Sequence, residues 1–326
     1  MEGTTVAGLV STIIPVYNRA GLLGEAVASV LAQTYHPIEI IIVDDGSTDD
    51  TPGAADSLAA GAPDEIIAVH QVNTGPGLAR EAGRHKARGE FIQYLDSDDV
   101  LLPEKFALQV AGLRANPRCD VAYGYTRFRH ANGRVEPQPW KGTGVRADTM
   151  FPSFLRSRWW DTPTPLYRAG VCDAAGPWSD LGLEEDWEYD CRIAALGVEL
   201  HFCEAYVAEV RDHEQGRLCR GDALDPTRLA QRARSHQLIY GHAKRAGLEA
   251  SVPEMQHFSR ELFLLARQCG AAGLDCETRE LFQLAKEASG AARARGLDFT
   301  LYALVAGILG WPLTGRLACA SDWFRK

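Results

Sequence analysis

Three carboxylates within four residues, Asp96, Asp98 and Asp99, follow a short apolar run of Phe91, Ile92, Tyr94 and Leu95. The run reads as a β-strand and is too brief for an independent helix. Carboxylates crowded at a strand end repel one another unless something cationic sits among them. Hard oxygen donors of this kind suit Mg2+ or Mn2+, in sites that commonly share the metal with phosphates. Alone, the triplet reads first as a solvated acidic turn. Two further acidic groups stand out, Asp44-Asp45 after an apolar run and Glu184-Glu185-Asp186 at the start of a helical pattern. By themselves Asp45 reads as a turn carboxylate and Asp186 as an acid favoured by a helix dipole.

The elements that must position these acids alternate. Residues 9–14 form a β-rich run ending in Pro15-Val16-Tyr17-Asn18, and Leu22, Leu23, Ala26, Val27, Val30 and Leu31 follow at helical spacing. Residues 38–43 are nearly all apolar, as in a strand covered on both faces. Thr51 suits an N-cap and Pro52 a first helical residue. A strand over 65–70, the loop Asn73-Thr74-Gly75-Pro76-Gly77 and a helix from 78 to about 87 lead to the acidic strand. A helix over 103–115 follows, with Pro103 in its first turn because its missing N–H would have no partner there. Strands are expected over 120–128, 166–168 and 205–211, the last running into Asp212-His213. The stretch 131–160, rich in Gly, Pro and Trp, reads as loops with short strands lining an acceptor site. The acidic cluster at 184–188 opens a helix that Gly197 closes. Beyond Pro226 only helices are expected. The implied class is α/β, a mostly parallel sheet flanked by helices with an all-helical C-terminal extension. In such sheets ligands bind beyond the carboxyl ends of the strands, where Pro15–Asn18, Asp44-Asp45 and Asp96–Asp98 all fall.

The 326 residues carry 34 Lys plus Arg against 43 Asp plus Glu, a net charge of −9. That balance argues against general affinity for nucleic acid or anionic membrane, so an anionic substrate must be held locally. Eight scattered cysteines without a Cys-x-x-Cys pair read as reduced thiols of a cytoplasmic protein, and no secretion signal is expected. The longest apolar run, residues 301–313, is interrupted by Gly307, Gly310 and Pro312 and falls short of the roughly 20 residues that span a bilayer. A buried terminal helix is the expectation; peripheral membrane contact through the C-terminal helices is the alternative.

Five stretches in this order resemble the family 2 inverting glycosyltransferases, whose catalytic domain has the GT-A (Rossmann-like) fold. They are Ile-Ile-Pro-Val-Tyr-Asn (13–18), Ile-Ile-Val-Asp-Asp-Gly-Ser-Thr-Asp (41–49), Asn73-x-Gly75-x-Gly77-x-Ala79-Arg80, Leu-Asp-Ser-Asp-Asp (95–99) and Glu185-Asp186-Trp187. The resemblance covers about residues 9–215. It implies a nucleotide-sugar-binding and catalytic domain, taken over 1–222; the helical region over 223–326 is read from the loss of strand signals there and has no counterpart in the resemblance. It implies that Asp45 accepts a hydrogen bond from the nucleotide base, commonly uracil N3–H, with Pro15, Val16 and Tyr17 beside that base. Asp98 would ligate the divalent metal bridging the donor phosphates, with Asp96 near the ribose or on the metal through water. Asp186 would be the base that takes the acceptor proton, with Glu185 and then Glu184 its nearest competitors. His213, with Arg211 at the end of the last strand, is a further candidate for the metal or diphosphate. Asp44 is expected to order its loop, and Asp99 to join the cluster or cap the next helix. Trp178 is a candidate acceptor-binding aromatic and Trp187 a packing residue. Arg80 either reaches a diphosphate or makes a helix-surface ion pair.

The resulting expectation is a Mn2+- or Mg2+-dependent transferase moving a sugar from a nucleotide sugar, with UDP the favoured nucleotide, to a hydroxyl acceptor. That acceptor would be a glycan, a lipid-linked molecule or a small metabolite, in the cytoplasm or at a membrane, with cell-surface polysaccharide synthesis the context. A nucleotidyltransferase would want a glycine-rich, lysine-bearing phosphate loop after the first strand, which Pro15-Val16-Tyr17-Asn18 is not. A non-catalytic sugar-nucleotide-binding protein is the other rival, and intact Asp98 and Asp186 argue against it.

Overall fold

The computed structural model describes residues 5–212 and 222–323, so His213 lies outside the described residues. The chain divides into two compact units. The first comprises residues 5–150, 159–185 and 196–212; the second comprises 151–158, 186–195 and 222–323.

The first unit carries β1 (Val6–Val16), β2 (Ile38–Asp44), β3 (Ile66–His70), β4 (Gly89–Tyr94), β5 (Val100–Leu101), β6 (Cys119–Arg129), β7 (Leu166–Arg168) and β8 (Glu199–Arg211). Its helices are α1 (Ala20–Leu31), α2 (Thr51–Gly61), α3 (Pro76–Arg84), α4 (Lys105–Ala115) and α5 (Ala169–Ala175). The strands form one mixed sheet in the order β3-β2-β1-β4-β7-β6-β8-β5. The first four are parallel, with Ile13 opposite both Ile41 and Tyr94, and Val16 opposite Asp44. That register sets the carboxyl ends of β1, β2 and β4 along one edge. Every residue of β2 is buried, as its nearly continuous apolar sequence requires when both faces are covered. Glu39, the one charged residue inside that apolar run, is bonded to Ser11 and Arg88.

Three local expectations are corrected. Thr51 is the first residue of α2, not its cap; its hydroxyl instead accepts from the Arg19 N–H at 2.9 Å. The helix after the acidic turn begins at Lys105. Residues 100–101 first make β5, antiparallel to β8, and the Pro103 carbonyl accepts from the Thr34 N–H at 3.0 Å. Residues 301–313 do not form a buried helix. Gly310, at φ 80°, separates α10 (Leu297–Leu309) from α11 (Trp311–Trp323). Phe299, Tyr302 and Ala306 face inward, while Leu297, Leu301, Leu304 and Ile308 are 86%, 61%, 62% and 74% exposed. No helix among the described residues is long and apolar enough to cross a membrane. The seven described cysteines are all free thiols.

The second unit is helical, with a 3-10 turn at Ser153–Leu155, α6 (Glu185–Ala194) from Asp186 onward, α7 (Pro226–Arg245), α8 (Pro253–Ala271), α9 (Asp275–Ser289), α10 and α11. Asp225 caps α7 by accepting from the Arg228 N–H at 2.9 Å. Phe263, Phe282, Phe299, Tyr302 and Trp311 pack into one aromatic cluster.

Glu188 on α6 is 1% exposed and ties that helix to α7. It lies 2.7 Å from His242 Nε2 and accepts from Arg192 Nη2 at 2.5 Å. Burial pushes the Glu188 carboxyl up, but the hydrogen bonds from His242 and Arg192 outweigh it and bring it down to about 2. A carboxylate depressed on folding stabilises above its unfolded pKa and loses that contribution as pH falls through the folded value. Between about pH 4.5 and 2 this group alone is therefore expected to remove on the order of 3 kcal/mol. Urea unfolding followed across that range should show a shallower acid slope in Glu188→Gln than in wild type, on a lower baseline at neutral pH.

Candidate active site

The ends of β1 and β2 are stitched together by their own loop residues. Asn18 adopts φ 51°, a left-handed conformation that asparagine tolerates better than most residues. This turns its side-chain oxygen onto the Thr48 N–H at 2.8 Å, while its own N–H donates to Ser47 Oγ at 2.9 Å. Asp44 accepts from the Ser47 N–H at 3.0 Å and contacts His70 Nδ1 at 3.0 Å, so it does order its loop. Asp45 is buried, and its carboxylate gathers the 71–75 loop. Oδ1 accepts from Gln71 Nε2 at 2.8 Å and the Thr74 N–H at 2.9 Å, and Oδ2 from the Gly75 N–H at 2.8 Å. Gly46 makes this approach possible: its φ is 75°, and a Cβ there would lie 2.7 Å from the Asn73 nitrogen. The Tyr17 side chain is exposed beside these loops, whereas Val16 is buried in the core and offers a ligand only its backbone. Pro15 is half-buried.

The acidic triplet is held by arginines from three elements. Asp98 Oδ2 accepts from Arg19 Nη1 at 2.7 Å, at the start of α1. Asp96 Oδ1 accepts from Arg80 Nη2 at 2.7 Å, on α3. Arg211, at the end of β8, donates through Nε to the Asp98 carbonyl at 2.7 Å and through its N–H to Asp99 Oδ1 at 3.1 Å. Its guanidinium also meets Glu25. Asp99 is buried, and burial first, then the charges of Asp98, Asp96 and Asp161, push its carboxyl well above the usual range. Asp99 thus does not cap α4; it lies under the cluster and meets its negative charge directly.

Arg80 is 4% exposed and so is not on the helix surface. It donates to Asp96 and, through Nη1, to Glu185 Oε1 at 2.8 Å, while its guanidinium lies 4.9 Å from the centroid of the Trp178 ring. Gly77, one turn before it, admits this packing, because a Cβ there would meet the Ser179 carbonyl oxygen at 2.3 Å. Trp178 is 3% exposed and packs edge-on against Tyr94 at 4.9 Å. A sugar therefore has no access to its face, which corrects its expected role as an acceptor-binding aromatic.

In the second unit Asp186 stands in the first turn of α6 with its side chain 30% exposed. Its Oδ2 accepts from Arg158 Nη1 at 2.7 Å. Trp187 packs, as expected: its Nε1–H donates to the Phe154 carbonyl at 2.8 Å and its ring meets His236 edge-on at 5.3 Å.

Among the described residues no three His, Cys, Asp or Glu side chains already converge as a metal cage. Mg2+ and Mn2+ sites that borrow substrate phosphates need only one or two carboxylates from the protein. Asp96 and Asp98, partly exposed at the end of β4 in a crowd of like charge that pushes Asp99 up, have the donor chemistry for such an ion. Of the nominated residues the structure thus brings Pro15, Val16, Tyr17, Asp45, Asp96 and Asp98 to one sheet edge. Arg19 and Arg158 were missed by sequence reasoning. Arg19 had a signal in its place directly after the Pro-Val-Tyr-Asn stretch; Arg158, inside an aperiodic Trp-rich stretch, had none.

Residues 11–170 match the family model described as Glycosyl transferase family 2. An uncharacterised glycosyltransferase of Nostoc sp. is 49% identical over 96 residues, covering 29% of this chain and 30% of that protein. The chain spans less than half the length of the curated relatives it matches. Among solved structures, S. aureus TarS 1–349 in complex with UDP superposes with a TM-score of 0.62 at 18% identity, over 92% of this chain and 91% of that one. The mannosyltransferase PcManGT from Pyrobaculum calidifontis, in complex with GDP-Man and Mn2+, gives 0.54 at 20% identity, over 96% and 86%. These likenesses establish the fold, which is of the GT-A type.

Removing one partner of a buried ion pair leaves the other charge uncompensated, at a cost of about 3–5 kcal/mol. Arg80→Gln removes the guanidinium shared by the buried Glu185 and by Asp96 and is expected to fall at or below that range in urea unfolding. Arg80→Lys, which keeps the charge but reaches one partner only, should cost less.

Proposed function

We propose, from the premise that residues 11–170 belong to glycosyl transferase family 2, that this chain is an inverting glycosyltransferase acting from a UDP-sugar onto a hydroxyl acceptor. The observation that carries the reading is the convergence of Asp45 and the Asp96–Asp98 pair at the carboxyl edge of β1, β2 and β4, where sheets of this class bind ligands. The loops around Pro15–Tyr17 and Asp45 would receive the base. Tyr17 would offer its exposed ring, and Asp45 a carboxylate whose remaining lone pairs can accept one more hydrogen bond.

Asp98, with Asp96 beside it and His213 as a further candidate, would hold Mn2+ or Mg2+. The ion would neutralise charge on the departing diphosphate. Asp186 would remove the acceptor proton as that oxygen attacks the anomeric carbon in a single in-line displacement. Its exposure suits that duty better than the buried, Arg80-bound Glu185. UDP is favoured by the UDP complex of TarS, and Mn2+ by the PcManGT complex. A catalytic region to about residue 222 followed by a helical region remains part of the proposal, as does cell-surface polysaccharide synthesis in the cytoplasm. Peripheral membrane contact is supported by the aliphatic face that α10 leaves to solvent.

The test is UDP release from a panel of UDP-sugars with Mn2+, with and without chelator. Wild type should turn over only with metal, and Asp98→Ala and Asp186→Asn should each lose about 10²-fold or more in kcat. Wild-type turnover in either variant would remove that residue from its role. Release of GDP from GDP-mannose in place of UDP would keep the reaction and change the nucleotide.

A further inference from the structure

Arg158 is 10% exposed and lies just after the 3-10 turn Ser153–Leu155. Its guanidinium is shared between two carboxylates one turn apart on α6. Nη1 donates to Asp186 Oδ2 at 2.7 Å and Nε to Asp190 Oδ2 at 2.7 Å. The two acids differ sharply in environment, the Asp190 side chain being 1% exposed and that of Asp186 30%. A carboxylate as buried as Asp190 requires a cation, so Asp190 anchors the arginine. The remaining edge of the rigid guanidinium fork then fixes the direction of the exposed acid. The segment carrying Arg158 is itself held: Phe154 and Leu155 are buried, and the Phe154 carbonyl accepts from Trp187 Nε1, the side chain next to Asp186.

We infer that Arg158 is a positioning residue for the acceptor-activating carboxylate, with Asp190 as its buried anchor; the inference rests on the proposed base role of Asp186. The pairing fixes the direction of the Asp186 carboxylate while leaving that side chain 30% exposed. Orientation of this kind matters because a misplacement of about 1 Å can cost about 10²-fold in rate.

The experiment compares Arg158→Gln, Arg158→Lys, Asp186→Asn and the double variant Arg158→Gln/Asp190→Asn. The double variant removes the buried charge together with its partner, so that a fold is retained even if Arg158→Gln alone loses it. Each is assayed for kcat and KM with the UDP-sugar giving the greatest wild-type UDP release, water serving as acceptor, and for UDP affinity by calorimetry. The expected result is a fall in kcat of about 10²-fold in the double variant, with UDP affinity and donor KM within about twofold of wild type, and partial recovery in Arg158→Lys. Wild-type kcat in the double variant, or equal losses of kcat and UDP affinity, would overturn the positioning role. An inactive Asp186→Asn beside a fully active double variant would sink this inference alone. A fully active Asp186→Asn would sink the base assignment and this inference with it.

Discussion

Five aspartates, Asp44, Asp45, Asp96, Asp98 and Asp99, stand at the ends of β2 and β4, the two strands that flank β1. Their mutual repulsion is the constraint around which the first unit is arranged, because an edge so charged folds only if each carboxylate finds its own partner. Asp44 is answered by an N–H of its own loop and Asp45 by N–H groups of the 71–75 loop, and the loops take their shape from that answer. His70 assists: its hydrogen bonds to Asp44 and then Asp56 raise its pKa. The triplet after β4 is answered by Arg19, Arg80 and Arg211, drawn from three separate elements. Asp99, buried beneath the other two, bears the unrelieved part of the repulsion.

The same economy of charge governs the start of α6. Neighbouring helical residues do not share a face, and Glu185 and Asp186 have separate arginines, Arg80 and Arg158. Glu185 is buried in its pair and becomes part of the framework. Asp186 keeps about a third of its side chain in solvent, so two adjacent acids of similar chemistry are divided by environment into a buried framework group and a solvent-accessible one. Burial, more than residue type, makes that distinction.

The C-terminal helices obey a different constraint. A helix apolar all round is stable in water only when most of its circumference is covered. α10 gives one side to the aromatic cluster of Phe263, Phe282 and Trp311 and leaves a row of leucines and an isoleucine outside. Gly310 and Pro312 break the apolar run into two helices, so its hydrophobicity is laid along a surface and never reaches the length of a membrane span.

Local pattern carried much of this protein. Near-continuous apolar runs named the parallel strands, because strands buried on both faces admit little else. The acids at their ends were legible as a set: each alone reads as a turn carboxylate, but they recur at the ends of strands in one sheet. Tertiary structure decided what local pattern cannot encode. The Arg19, Arg80 and Arg158 pairings span 79, 16 and 28 residues, separations at which no periodicity links donor to acceptor. The burial of Trp178 under Arg80 and the exposure of α10 depend on what lies across from each face, which composition does not state. β5 exists only because β8 returns to pair with it. Sequence by itself determined which groups carry the charge; the fold determined which of those charges are spent on structure and which remain available for chemistry, because only packing sets the distance between groups and their distance from water.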